Sequence, residues 1–376
     1  MKILQFSCQH FRNLKAGNFS PHPCMNVLYG QNAQGKTNLL EAMWLFTGGH
    51  SFRGVKDSDL IEFASSSCTL DLQFFAQERE QAASLCVANG KRQVSINGIA
   101  QRSAVSLVGT FCAVLFSPEH LAFVKGGPSQ RRAFLDTALC QSRPAYARQF
   151  ALYQRTLQQR NSLLKDIPRH PELLDTLDIW DHKLSLYGSY LIRQRQEYLS
   201  LIAQPVQEMY HGISRGREQL SVSYLSSMRH DPEKPFSEAD FYQAIVSARN
   251  SDLAFGYTAA GPHRDDLDLR VDGISARLFG SQGQQRSIVL AVKLAEAQAL
   301  EQLCGEPPVI FLDDVLSELD AGRQDFLLNH LKNRQVFLTC CDPNSIQNLG
   351  HGSSFHVQAG VISPAIPEPD LPTYKV

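Results

Sequence analysis

No excess of either charge runs through this 376-residue chain: 36 Lys and Arg stand against 37 Asp and Glu. No global field therefore marks it for a polyanion, and any nucleic-acid surface has to be local. Its nine cysteines include no CxxC pair, which argues against a zinc site or a disulfide framework and for a reducing compartment. No apolar stretch approaches the length of a membrane span, and the opening residues MKILQFSCQHFRN hold no apolar signal core. A cytoplasmic protein without a membrane partner is expected. Internal repeats and low-complexity segments are also missing. What the chain has is length, beyond the size at which one core stops growing, so a large domain with a smaller lobe is expected.

The first 125 residues read as strands with one helix. Strands are expected at 2–11 and 25–29, a helix at 36–46, and β-runs at 69–75, 83–88 and 92–96 parted by the turn dipeptides Asn89-Gly90 and Asn97-Gly98. From 129 to about 250 the composition turns Leu- and Gln-rich with few turn signals, which predicts a helical lobe. Strand signals return at 267–271, 309–312 and 335–339, with a helix at 281–303. This divides the chain into a head in two parts, 1–128 and 251–362, an inserted arm at 129–250, and a loose Pro-rich tail at 363–376.

Gly30-Gln31-Asn32-Ala33-Gln34-Gly35-Lys36-Thr37 fits G-x-x-x-x-G-K-[ST] between an apolar strand and an amphipathic helix. Glycines let the backbone wrap a polyanion, and the helix start at Lys36 adds the positive end of its dipole. Residues 30–38, from Gly30 through Lys36 and Thr37 to Asn38, form the expected ATP-binding set. Lys36 is assigned to the β- and γ-phosphates and Thr37 to Mg²⁺. Val309-Ile310-Phe311-Leu312-Asp313-Asp314 is an apolar run that carries two acids to a sheet edge. Asp313 is the expected second Mg²⁺ ligand, and Asp314 the group that orients or deprotonates the attacking water. Alone, such a run is also what a solvated strand terminus looks like.

Ser281-Gln282-Gly283-Gln284 opens a helix with apolar residues at helical spacing. Ser281 with Gln284 also reads as a capping box, so in isolation a well-capped core helix accounts for it. Its order in the chain adds meaning: Ser281 to Gln284, then the strand with Asp313 and Asp314, then Ser317-Glu318-Leu319-Asp320. That order resembles the ABC signature, Walker B and D-loop (Ser317, Asp320) of the structural-maintenance and DNA-repair branch. The fold class implied is α/β, an ABC-type P-loop ATPase head with mixed β-sheets plus an inserted, mainly helical arm.

Several further blocks resemble the bacterial RecF family over nearly the whole chain: Phe11-Arg12-Asn13-Leu14, Ser117-Pro118-Glu119-His120-Leu121, Lys125-Gly126-Gly127-Pro128, Arg131 to Asp136, and Gly261-Pro262-His263-Arg264-Asp265-Asp266. The resemblance implies an ATP-dependent DNA-binding protein of recombinational repair and replication. In that picture two heads dimerise on ATP, Ser281 to Gln284 of one copy facing the triphosphate held by Lys36 of the other. Slow hydrolysis releases the DNA, and RecR and RecO are the implied partners at single-strand gaps. The residues support a local DNA surface: between Lys125 and Lys165 stand eight Lys or Arg and one acid, Asp136. Lys125, Arg131, Arg132, Arg148 and Arg155 are the candidate contacts, although Arg131 and Arg132 could equally bridge head and arm. His263 and Arg264 are left open between nucleotide, DNA and fold.

The chain also departs from the transporter ATPases of the wider class. Asp314 stands where they carry a longer Glu, Thr339-Cys340-Cys341 offers no imidazole, and no Q-loop glutamine is evident, with Glu119 as a substitute. These differences predict slow turnover, a switch more than an engine. Two other readings stay open: a nucleotide-sensing scaffold with vestigial hydrolysis, and a transport-coupled ATPase. A metabolic P-loop kinase would leave Ser281 to Gln284 and Ser317 to Asp320 without a role.

Overall fold

A computed structural model describes residues 1–228, 236–341 and 352–364. The chain divides into two compact units, Met1–Pro118 with Glu306–Gln324 and Leu328–Val376, and Glu119–Gly305 with Asp325–Leu327. Of the tail expected at 363–376, only Ser363 and Pro364 are described, and they close the last strand.

The first unit contains two six-stranded sheets. One is antiparallel throughout, in the order Gly17–Phe19, Lys2–Gln9, Ser67–Ala76, Arg79–Ala88, Lys91–Ile96, Ile99–Gln101. In Ser67–Ala76 the residues Cys68, Leu70, Leu72, Phe74 and Ala76 are buried while Asp71, Gln73 and Phe75 face out, the alternation of a sheet covered on one face. The Asn89-Gly90 and Asn97-Gly98 pairs all take left-handed backbone, as two-residue hairpins with the right twist require. The second sheet runs Val361–Pro364, Gly352–Gln358, Met25–Tyr29, Val336–Cys340, Val309–Asp313, Ala113–Phe116. It is parallel apart from its first pair. Its registers set Asp313 beside Thr339 and Cys340 beside Tyr29, so the acid and the loop that begins at Gly30 reach the same edge.

The second unit is mainly helical: Pro128–Ser142, Pro144–Asp166, Leu177–Ile213, Glu238–Phe255 and Gln282–Cys304. Helix Pro144–Asp166 stops just before Pro168, and Pro171 opens a 3₁₀ turn, as proline placement dictates. The mainly helical reading of 129–250 placed no strand at Leu220–Leu225, which pairs antiparallel with Asp266–Val271 and so belongs to a three-stranded sheet. LSVSYL has strand alternation, yet six residues inside a helical stretch give periodicity little to work with.

Buried charge organises this unit. Arg160 lies between Asp181 (2.6 Å) and Asp252 (2.7 Å), and all three side chains are fully buried. Arg195 meets Asp136 at 2.8 Å and donates to the Pro262 carbonyl at 2.6 Å. Arg131 makes a two-pronged pair with Asp266 at 2.6 and 2.9 Å, and Asp265 accepts from the Tyr224 hydroxyl and the Ser227 amide. The 131–136 and 261–266 blocks thus lock together. His263 belongs to the same lock. Its Nε2 lies 3.0 Å from the Thr258 carbonyl, which can only accept, so Nε2 carries the proton and Nδ1 accepts from the Tyr153 hydroxyl at 2.6 Å. Burial pulls this imidazole down from its usual 6.5 to about 4. Above pH 6.5 it is neutral whether folded or unfolded; as pH falls toward 4 only the unfolded chain takes the proton, so stability is lost across that window. Urea midpoints measured at neutral and mildly acidic pH should converge in His263→Gln relative to the wild type.

Candidate functional site

The nucleotide-binding loop leaves strand Met25–Tyr29 through Gly30, whose φ of 149° no L-residue adopts comfortably. A Cβ there would stand 2.3 Å from the Val357 carbonyl oxygen, so the loop can leave the sheet only at a glycine. Gly35, at φ 115°, sits against the Asn13 amide and Leu14 and starts helix Lys36–Trp44. No side chain caps this helix start and no acid occupies its first turn, the arrangement that suits an anion. Lys36 is buried and folds back along its own loop, donating to the Gly30 carbonyl at 2.5 Å and the Gln31 carbonyl at 2.9 Å. Gln31, Asn32 and Ala33 are exposed, while the half-buried Gln34 holds the Ala359-Gly360 turn, accepting from its amides through the side chain and the carbonyl.

The Phe11-Arg12-Asn13-Leu14 block supports the loop from outside. Asn13 donates to the Ala33 carbonyl at 3.3 Å and accepts from Asn38 at 2.6 Å, and Arg53 takes the other end of Asn38 at 2.7 Å. Arg12 pairs at 2.5 Å with Glu41, which is fully buried. Asn38, expected among the ATP contacts, is thus spent on its neighbours in this structure.

Asp313 is the centre of the acidic edge. Its Oδ1 accepts from the Thr37 hydroxyl at 2.8 Å and from the Thr339 hydroxyl at 2.9 Å. Burial raises the carboxyl above its usual range, and the two hydroxyls oppose that rise in part. Thr37 and Asp313 bring two hard oxygen donors into contact, the donor set Mg²⁺ takes when substrate phosphates and water complete its shell. Among the described residues no group of three or more His, Cys, Asp or Glu is placed to hold a metal unaided. Asp314 is exposed with φ 52°, left-handed backbone that turns its side chain off the strand. Ser317 donates to its carbonyl at 2.9 Å and its carboxylate at 3.1 Å, and Asp320 accepts from the Arg323 amide, which lowers its carboxyl pKa.

Sequence reasoning saw in Thr339 only a missing imidazole. Its hydroxyl donates to Asp313 and accepts from the Asp314 amide at 2.9 Å, so one side chain fixes both acids. Only strand register, which sets Thr339 beside Asp313, exposes that role.

In the second unit, Ser281 caps helix Gln282–Cys304 by the reciprocal bonds of a capping box, 2.8 and 3.2 Å, and Gln284 also donates to Glu218 at 2.9 Å. Ser281 and Gln282 are exposed, and Gly283 is half-buried. Arg131 corrects an expectation. It is 2% exposed and committed to Asp266 and to the Phe123 and Gly126 carbonyls, so it cannot reach DNA. Arg132 is half-buried and donates to the Asp265 carbonyl. Lys125, Arg148 and Arg155 are exposed, the two arginines seven residues apart on one helix face.

The phosphate loop, the buried Asp313 and the Ser281 helix, on mixed sheets with a helical arm, define an ABC-type ATPase. A model of the RecF/RecN/SMC N terminal domain matches residues 2–361. The DNA replication and repair protein RecF of Acetivibrio thermocellus is 36% identical over 361 residues, 95% of this chain and 98% of that protein. RecF of Agathobacter rectalis is 39% identical over 341 residues, 90% and 92% of the two chains. The solved structure of the recombination mediator protein RecF with ATP, of the RecFOR pathway, superposes with a TM-score of 0.89 at 32% identity, covering 97% of this chain and 98% of that one. The Smc head of Pyrococcus furiosus, at 14% identity and a TM-score of 0.55, shares the fold. The chain belongs to the RecF family.

Thr339→Val keeps the side-chain volume but strands the Asp314 amide and strips one donor from Asp313. Steady-state hydrolysis should fall by about tenfold, roughly 1.4 kcal/mol of barrier, with nucleotide affinity retained. Thr339→Ser should restore turnover.

Proposed function

We propose that this protein is an ATP-driven DNA-binding switch of recombinational repair and replication, with slow hydrolysis as its off-signal. The convergence of Lys36, Thr37 and Asp313 carries this reading. An arriving triphosphate would draw Lys36 off the Gly30 and Gln31 carbonyls, exchanging two neutral acceptors for anionic ones that pair with the ammonium charge. Thr37 and Asp313 would hold Mg²⁺, which supplies neutralisation of phosphate charge. Asp314, turned outward and tied to Ser317, would orient the attacking water with Thr339 holding its backbone.

Phosphoryl transfer needs charge stabilisation on every side of the γ-phosphate, and the loop supplies one side. The exposed Ser281 helix start fits the other, offered by a second copy. ATP would then hold two heads together, and its hydrolysis would remove the group that both surfaces share. The DNA part of the reading rests on the relatives named DNA replication and repair protein and on exposed Lys125, Arg148 and Arg155. The RecFOR pathway named for solved RecF supports RecR and RecO as partners, and their meeting at single-strand gaps is what the family resemblance implies.

Lys36→Met and Ser281→Arg should each abolish ATP-dependent dimerisation and hydrolysis in sedimentation and turnover assays. Mixed together they should recover one composite site of two, and absence of rescue would refute shared sites. Asp314→Asn should lengthen the lifetime of the ATP-bound dimer on DNA and impair repair in cells. Normal repair in that variant would instead favour a scaffold with vestigial hydrolysis.

A further inference from the structure

Helix Glu238–Phe255 ends at Gly256, whose left-handed φ of 72° swings the chain so that Phe255 and Tyr257 fall on the same side of the turn. Their rings stack at 5.8 Å between centroids with 25° between planes, and both are solvent-exposed, Phe255 at 66% and Tyr257 at 40%. The Arg264 guanidinium carbon lies 4.8 Å from the Tyr257 ring centre, setting a cation over the aromatic pair. Lys165, also exposed, runs its aliphatic stem past Gly256.

This ladder is rigidly mounted. Thr258, next to Tyr257, is fully buried and bonded to Arg160 and Asn161. Asp252, one turn before Phe255, accepts from Arg160 and from the Ala259 amide. The exposed aromatics therefore stand on the fully buried Arg160–Asp181–Asp252 cluster, which fixes the turn on both sides.

We propose that the Phe255–Tyr257–Arg264 ladder is a stacking platform for unpaired bases of single-stranded DNA, with Lys165 placed for the flanking phosphate. The proposal rests on the DNA-binding reading above and assigns the strand type that this surface selects. Duplex bases hide their faces in their own stack, whereas an unpaired base can lay its face on an open ring, whatever its identity. A guanidinium over a tyrosine adds charge suited to a phosphodiester without spoiling the flat surface. Aromatic planes and cations carry this patch, the combination that single-strand binding uses, and a protein contact, which draws on the same residue types, is separated from it by comparing gapped with sealed duplex.

The test compares binding to a duplex interrupted by an oligo-dT gap with binding to the same duplex sealed, with ATP, by fluorescence anisotropy. Phe255→Ala with Tyr257→Ala should lower affinity for the gapped duplex roughly tenfold and leave the sealed duplex unaffected. Lys165→Ala should reduce the salt slope on gapped DNA by about one ion. Phe255→Trp, which keeps the stack if the alanine pair fails to fold, should retain gap affinity and show tryptophan quenching when oligo-dT is added. Equal loss on both duplexes, no loss on either, or no quenching overturns the platform. Unchanged binding to both would return the ladder to a protein contact. A wild-type protein that binds neither duplex removes the DNA reading itself.

Discussion

Everything at the nucleotide edge is registered to one oxygen atom. Oδ1 of Asp313 takes hydrogen bonds from Thr37 at the head of a helix and from Thr339 at the end of the neighbouring strand. Three chain segments far apart in sequence are thereby held within hydrogen-bond reach of one another. A carboxylate buried to this degree costs free energy unless satisfied, so both hydroxyls are needed for stability before any ligand arrives. Thr339 shares its hydroxyl between Asp313 and the Asp314 amide, so an ion that displaced the Thr37 bond would alter the surroundings of Thr339 and, through it, the backbone of Asp314.

The second unit solves a different problem with related means. Its helices are rich in polar residues, and it is unified by arginines set deep among carboxylates, Arg160, Arg195 and Arg131. Such pairs contribute little net stability against apolar substitutes, yet removing one partner strands a buried charge. Their geometry is directional, so they fix how the 261–266 loop meets the helices and where its neighbours point. The Ser281 helix is mounted on this same unit, with Gln284 tied to Glu218 beside strand Leu220–Leu225.

How much of this was legible depended on whether the signal was local. The Gly30 to Thr37 loop, the Asp313 strand and the Ser281 cap announce themselves because each needs particular residues at fixed short spacing. The hairpins at Asn89 and Asn97 were equally plain. Thr339 and the fate of Arg131 were not, since both depend on pairing across more than a hundred residues, or across a sheet register, which no window of sequence displays. Positive charge between Lys125 and Lys165 suggested a DNA face, but an arginine opposite a distant aspartate is spent on the fold. Strand Leu220–Leu225 escaped for the same reason: its partner lies beyond a helix and a loop.

Gly30 is fixed by the carbonyl of Val357, and Gln34 grips the turn at Ala359 and Gly360, which itself leans on Asn13. The loop encoded within the first tenth of the chain is therefore buttressed by residues encoded near its end. On the ribosome, the nucleotide cradle of a half-made head would lack this brace, and a truncated product would carry every residue of the motif without the scaffold that shapes it. The cradle is therefore finished only in a chain that extends through Gly360.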